Sequence, residues 1–322
     1  MSPVLSSATL HCSLPIHTDN HIGFVDFPSG RYREDPSGPA GGSPNNRFGV
    51  FYAPAAHKWV RTENLFGAQY LSPDGKYLAQ LDSGPIASGP SGPRRQGFTD
   101  VYLLDLTNLD RHHAGVIPGA ARLIAFRPEG LYVEAFGADS NGRAIQPGIY
   151  RFDLKTGTTT RIGPYGQSSP ATDGIWFHIT SAGAWRSLAA VPNQNGANEV
   201  QAMSLSDGKV TTWYTAPSQR TASIVGFVQP NEPLVAEFDT WELPPLEPPS
   251  GLQFLVLTAA GSAHHVDIEP STSVWVLTDA MGIWLAGPGR LSLYDSAGLI
   301  LMADLSMTAL ATETPFIAGR CS

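Results

Sequence analysis

The chain has 322 residues, 33 of them Gly and 27 Pro, a density of breakers that excludes long helices and lacks the strict period of collagen. A formal charge of −8, with 20 Lys and Arg scattered along the chain, offers no basic stripe to nucleic acid or an anionic membrane. No apolar run approaches the ~20 residues of a membrane-spanning helix, and only 15% of residues are charged, a balance commoner outside the cell than in cytosol.

In chain order, the first predicted hairpin is Gly23 to Tyr32, followed by Phe48 to Tyr52 turning at Pro54 to His57 into Lys58-Trp59-Val60. The next, Y-L-S-P-D-G-K-Y-L-A-Q-L from Tyr70 to Leu81, places Ser72-Pro73-Asp74-Gly75 between two apolar runs. Pro73 presets φ, and Asp74 and Gly75 supply the polar and permissive positions, so the tetrapeptide reads as a corner. Arg122 to Val133 repeats the pattern, with weaker versions at Ile175 to Trp185, Val225 to Ala236 and Val274 to Leu285. A second strand series ends in polar turns: Val101 to Leu106, Ile149 to Leu154, Val200 to Leu205, Phe254 to Leu257 and Leu291 to Tyr294. Partial period-2 alternation with Asp-Gly or Thr-Gly punctuation is a strand and hairpin signal. The turn centres recur about every 45–55 residues, as in a repeat architecture.

Four strands per unit, six units and no helix between them predict an all-β, six-bladed propeller of four-stranded antiparallel blades spanning residues 1–322 as one domain, with seven blades as the alternative. The blades are placed near 20–64, 65–117, 118–166, 167–217, 218–268 and 269–306, leaving 1–19 and 307–322 to close the ring. Cys12 and Cys321 lie one near each end and are read as a disulfide joining the termini in an oxidising compartment, two free thiols being the alternative. Met1-Ser2-Pro3 does not open a signal peptide, so an exported chain is expected to have lost its leader. Without Cys-x-x-Cys or a Cys/His cluster, no zinc site is expected, and neither a metal nor any other cofactor is assigned.

Ser72 to Ala79 followed by Asp100 to Leu106, and again Ile149 to Ile162, resemble the WD40-like repeat of the TolB family, found also in the propeller of prolyl oligopeptidase relatives. The resemblance implies a propeller and transfers no catalytic residue. Residues 1–20 supply no additional α/β domain of the TolB kind, and no Gly-x-Ser-x-Gly elbow of an oligopeptidase occurs. The expectation is an isolated propeller.

If the Pro-Asp-Gly turn joins the first two strands of a blade, the second-to-third connections return to the opposite face. They are the long ones: Asp35 to Arg47, Asp82 to Thr99, Gly137 to Gly148, Pro192 to Glu199 and Asp239 to Gly251. Trp241 and Glu242, on a Pro-stiffened loop, are the candidate binding anchor, with a Trp folded onto the blade edge as the alternative. Arg94 and Arg95 fit bidentate binding of a carboxylate or sulfate, against a solvated pair. Asp139-Ser-Asn141-Gly142 lacks the later ligands of a calcium loop. His112-His113 and His264-His265 alternate across strands and cannot share a metal, and His17-x-Asp19-x-His21 reads as a polar linker. Asp26, Arg122, Asp173 and His178 fall on or beside first strands, where they suit either acid/base chemistry or ion pairs between blades.

The reading is an exported, monomeric binding or interaction module for a protein or glycan ligand on its long-loop face. Two alternatives stay open: a propeller hydrolase or lyase acting on a carbohydrate or lactone through Arg122, Asp173 and His178, and a structural repeat of a surface assembly.

Overall fold

The computed structural model describes residues 10–18, 20–38, 49–62, 71–82, 87–89, 92–94, 97–137, 139, 141, 143–164, 178–188, 198–239, 251–266, 268, 275–279, 281–295, 298–313 and 315–321. Among the described residues the fold is all β. Five four-stranded antiparallel sheets, one three-stranded sheet and two separate hairpins account for the strands, and a single 3-10 turn at Pro54–Ala56 is the helical element. No helix there is long and apolar enough to cross a membrane.

The chain forms two compact units, Met1–Ala68 with Ala197–Glu199 and Trp213–Ser322, and Gln69–Gly196 with Val200–Thr212. In the second unit, Tyr77–Asp82, Phe98–Asp105 and Arg111–Pro118 form the three-stranded sheet. Ala120–Arg127, Gly130–Phe136, Gly148–Phe152 and Thr159–Pro164 follow in spatial order. A third sheet runs His178–Ile179, Ala184–Leu188, Glu199–Met203 and Val210–Thr215, of which Glu199 and the residues from Trp213 on belong to the first unit. The run L-Y-V-E-A-F lacks polar alternation because its strand is covered on both faces. Leu131, Val133 and Ala135 pack with Ala79, Val101 and Phe152, whereas Tyr132 packs with Ile179, Ala184 and Met203.

The Ser72 to Gly75 corner folds as the sequence predicts. Gly75 N–H donates to the Ser72 carbonyl (2.8 Å), Ser72 Oγ donates to Asp74 (2.6 Å), and Ser72 Oγ accepts from Tyr77 N–H (2.8 Å). Gly75 sits at φ +73 with open space where a Cβ would project. Three further hairpin corners share a chemistry. Asp105 Oδ1 takes the Thr107 amide (2.8 Å), Asp153 Oδ1 takes those of Lys155 (2.8 Å) and Thr156 (3.1 Å), and Ser204 Oγ takes that of Ser206 (3.3 Å).

In the first unit, Arg220–Gln229, Glu232–Asp239, Gln253–Ala259 and Ser262–Val266 form one sheet, and Trp275–Asp279, Gly282–Gly287, Arg290–Asp295 and Gly298–Asp304 another. Leu234, Ala236, Phe254 and Val256 pack against Ile283 and Leu285 between them. The remaining sheet joins the two ends of the chain: Phe316–Ile317 pairs with Ser13–His17, which pairs with Ile22–Asp26 and then Arg31–Glu34. Cys12 and Cys321 are disulfide-bonded, with Cα atoms 5.4 Å apart, and pack against a core that includes Leu14, Phe27, Trp284 and Leu305.

Candidate functional site

Arg220 opens its strand directly opposite Asp239, the last residue of the next, and Ala222 faces Glu237. The apolar run L-V-A carries Glu237 into the interior, where it is 0% exposed. An uncompensated carboxylate there would cost several kcal/mol of desolvation. Instead Arg220 Nε–H and the Tyr214 hydroxyl donate to its two oxygens, and Gln253 Nε2 adds a bond of 2.7 Å. Burial first, and then the bond to Glu237, raise the Tyr214 phenol above its ordinary value, so it stays a protonated donor.

The remaining guanidinium nitrogens of Arg220 reach both sides of one connection. Nη1 donates to Asp239 Oδ1 (3.1 Å); Nη2 donates to the carbonyls of Glu237 (3.2 Å) and Gly251 (2.6 Å). Asp239 and Gly251 are the two ends of the connection that the sequence marks as long and Pro-rich. Gly251 sits at φ +64, and a Cβ there would lie 3.0 Å from Arg220 Nη1 and from both Asp239 carboxylate oxygens. Asn198 Nδ2 bonds the Arg220 carbonyl from the adjoining segment. The planar fork of arginine suits this four-acceptor arrangement, which a lysine point charge would not reproduce.

Other buried or half-buried charged groups also find hydrogen-bond partners. Arg122 Nη2 donates to Glu134 (2.8 Å), the residue across from it, and Arg186, 5% exposed, bonds Gln201 Oε1 through Nε (3.0 Å) and Nη2 (2.8 Å). Asp26 accepts Arg33 Nε (2.9 Å), Arg33 Nη2 (3.2 Å) and Ser13 Oγ (2.6 Å). Burial opposes ionisation of Asp26, but the bonds from Arg33 and Ser13 outweigh it and hold the carboxyl below its ordinary value. Asp139 Oδ1 takes the amides of Asn141 and Arg143, both at 2.9 Å.

Of the predicted site residues, Arg122 sits in its ion pair and His178 lies across from Trp185. Asp173, Trp241, Glu242 and Arg95 lie outside the described residues, as does Asp19. Arg94 ends the short strand Gly92–Arg94, paired with Ala87–Gly89 inside a connection expected to be irregular. His113 Nε2 is 2.9 Å from Asp100, and its register opposite Tyr102, with His112 opposite Leu103, keeps the two imidazoles on opposite faces. His17 stacks on Phe316 whereas His21 meets Glu34. Sequence reasoning passed over Tyr214, Arg220 and Glu237. The available signal was two acids, Glu237 and Asp239, closing the apolar run L-V-A-E-F-D, with an Arg at the head of the preceding strand.

No family model matches the chain, and no characterised protein matches it in sequence. Among solved structures it is similar to an oligogalacturonate lyase from Vibrio parahaemolyticus (TM-score 0.43, 7% identity, covering 73% of this chain and 64% of the lyase). It is also similar to the β-propeller domain of the Trilobed protease from Pyrococcus furiosus (0.43, 11%, 90% and 83%) and to the periplasmic gluconolactonase PpgL from Pseudomonas aeruginosa (0.41, 12%, 97% and 97%). The chain thus spans less than two thirds of the lyase, and at such distance no property of these proteins is carried over.

Proposed function

We propose that this chain is an exported six-bladed β-propeller of the TolB-like repeat type that binds a protein or glycan ligand through its second-to-third-strand connections. Trp241 and Glu242 are its anchor, and Arg94 and Arg95 grip an anionic group. The observation that carries the reading is the clasp at Asp239 and Gly251: a sheet that commits a buried ion pair to the two ends of one connection suits a preorganised binding loop. Support for export is the Cys12–Cys321 disulfide, a bond that persists in oxidising compartments.

A second reading places a hydrolase or lyase for a carbohydrate or lactone on the same face, with Arg122, Asp173 and His178 as its acid/base groups. Structures with related sheets include a lyase and a gluconolactonase, a likeness too distant to choose between the two. A glycan and peptide binding screen of the full chain with Trp241→Ala and Arg94→Ala/Arg95→Ala variants tests the first reading. Binding lost in both variants supports it, and binding unchanged in both removes the site. Turnover of lactones or uronate oligosaccharides that disappears in His178→Ala would replace it with the second.

A further inference from the structure

We infer that Arg220 is a positioning residue: seated on the buried Glu237, it clasps the two ends of the 240–250 connection and so fixes their separation, whatever that connection binds. Its role as part of a ligand site rests on the reading above; the clasp itself does not.

Three independent features converge on this assignment. Arg220 spends its donors on one strand end, Asp239, and on Gly251, two residues before the next strand, in addition to the carboxylate and carbonyl of Glu237. The guanidinium is itself held, because Glu237 is fixed by Gln253 on the adjacent strand and by Tyr214 on the strand Val210–Thr215 of another sheet. Gly251, at φ +64, brings its backbone so close to Arg220 and Asp239 that a Cβ would sit 3.0 Å from the guanidinium and the carboxylate and displace one of them. An ion pair that ties two facing strands needs only the register of its ladder, as in the bond of Arg122 to Glu134 across from it. Arg220 instead bonds the carbonyl of a residue 31 positions away in sequence, beyond the connection.

The test is hydrogen–deuterium exchange of the full chain, comparing wild type with Arg220→Lys and Asp239→Ala. Arg220→Lys keeps the charge over Glu237 but loses the fork, and Asp239→Ala removes only the half-exposed leading end, so both are expected to fold. Amides of residues 251–253 should exchange at least about tenfold faster in both variants, while those of Arg290–Asp295 in the same unit stay at the wild-type rate. Unchanged exchange at 251–253 would overturn the clasp, as would acceleration shared equally with Arg290–Asp295, which is the mark of general destabilisation. A ligand screen that fails while exchange behaves as expected removes the proposed function and leaves the clasp standing; unchanged exchange removes the clasp whatever the screen finds.

Discussion

Asp153 and Glu237 are both carboxylates that gather donors where a strand ends, yet they stand at opposite extremes of burial. Asp153 caps a hairpin corner through the amides of Thr156 and Lys155, which hold its carboxyl below the ordinary value while water bathes the rest of it. Glu237 is 0% exposed and receives Tyr214, Arg220 and Gln253 with no solvent to replace any of them. The number of bonds is similar, but the penalty for losing one is not. At the corner water takes the vacant place, whereas inside the sheet a donor or a charge is stranded.

The largest test of that contrast is Glu237→Ala. It takes the carboxylate from Tyr214, Gln253 and Arg220 Nε–H, leaving Arg220 with Asp239 and two carbonyls, and should cost about 3–5 kcal/mol, read as a lower denaturation midpoint at unchanged slope. A cost below about 1 kcal/mol would mean that solvent reaches the site and the contrast is empty. Two glycines give the next test, because Gly75 and Gly251 share a left-handed φ but not their surroundings. Gly75→Ala should cost about 1 kcal/mol for the backbone alone. Gly251→Ala adds contacts at 3.0 Å with Arg220 and Asp239 and should cost about twice as much. Equal costs would show that the clasp yields freely.

The same contrast decides what could be read from sequence. The corners were legible because Pro73-Asp74-Gly75 and Asp153 to Gly157 fold by local rules: a preset φ, an acceptor two residues from its donor, and a residue that tolerates positive φ. Their spacing carried the strand series with it, and the two lone cysteines at opposite ends pointed to the bond that joins them. The clasp was not legible, since Tyr214, Arg220 and Glu237 come from three strands of two sheets and Gly251 from the turn before a fourth strand, and only Arg220 and Glu237 share a register. Nothing local in L-V-A-E-F-D tells whether Glu237 faces water or an arginine. That the two ends meet was expected, but the register of Phe316–Ile317 on Ser13–His17 was hidden, because two-residue strands carry no periodicity.

Tyr132 stands between the extremes. Its ring is 5% exposed, and its hydroxyl donates to Glu129 (2.8 Å), whose own side chain is 43% exposed. Burial first, and then Glu129, push the phenol up to about 12 from an ordinary 10. The folded state therefore holds this proton more tightly than the unfolded chain. The resulting stability is complete below pH 10 and fades as pH rises through 12. Tyr132→Phe should flatten the alkaline limb of the stability curve by about 1–2 kcal/mol, measured as the midpoint difference between pH 9 and 11.5 (both values set on the order of the two ionisations). A curve that superimposes on wild type would place Tyr132 with the solvated corners.

The smallest effect belongs to Asp153, and its direction is opposite in pH. Because its folded carboxyl ionises below the ordinary 3.8, the corner contributes only while the group is charged, and that contribution is lost as pH falls through the folded value. Asp153→Asn keeps an oxygen acceptor for the Lys155 and Thr156 amides. At neutral pH it should therefore shift the melting temperature less than any substitution above, and it should remove this corner's share of the acid sensitivity. Glu237→Gln makes the same chemical change, carboxylate to amide, in the dry site, where the new NH2 finds itself among donors from Tyr214, Arg220 and Gln253. Matched melting curves of Asp153→Asn and Glu237→Gln thus isolate burial as the variable. Equal shifts would mean that charge at these strand ends matters independently of water, and the clasp would lose its distinction from an ordinary corner.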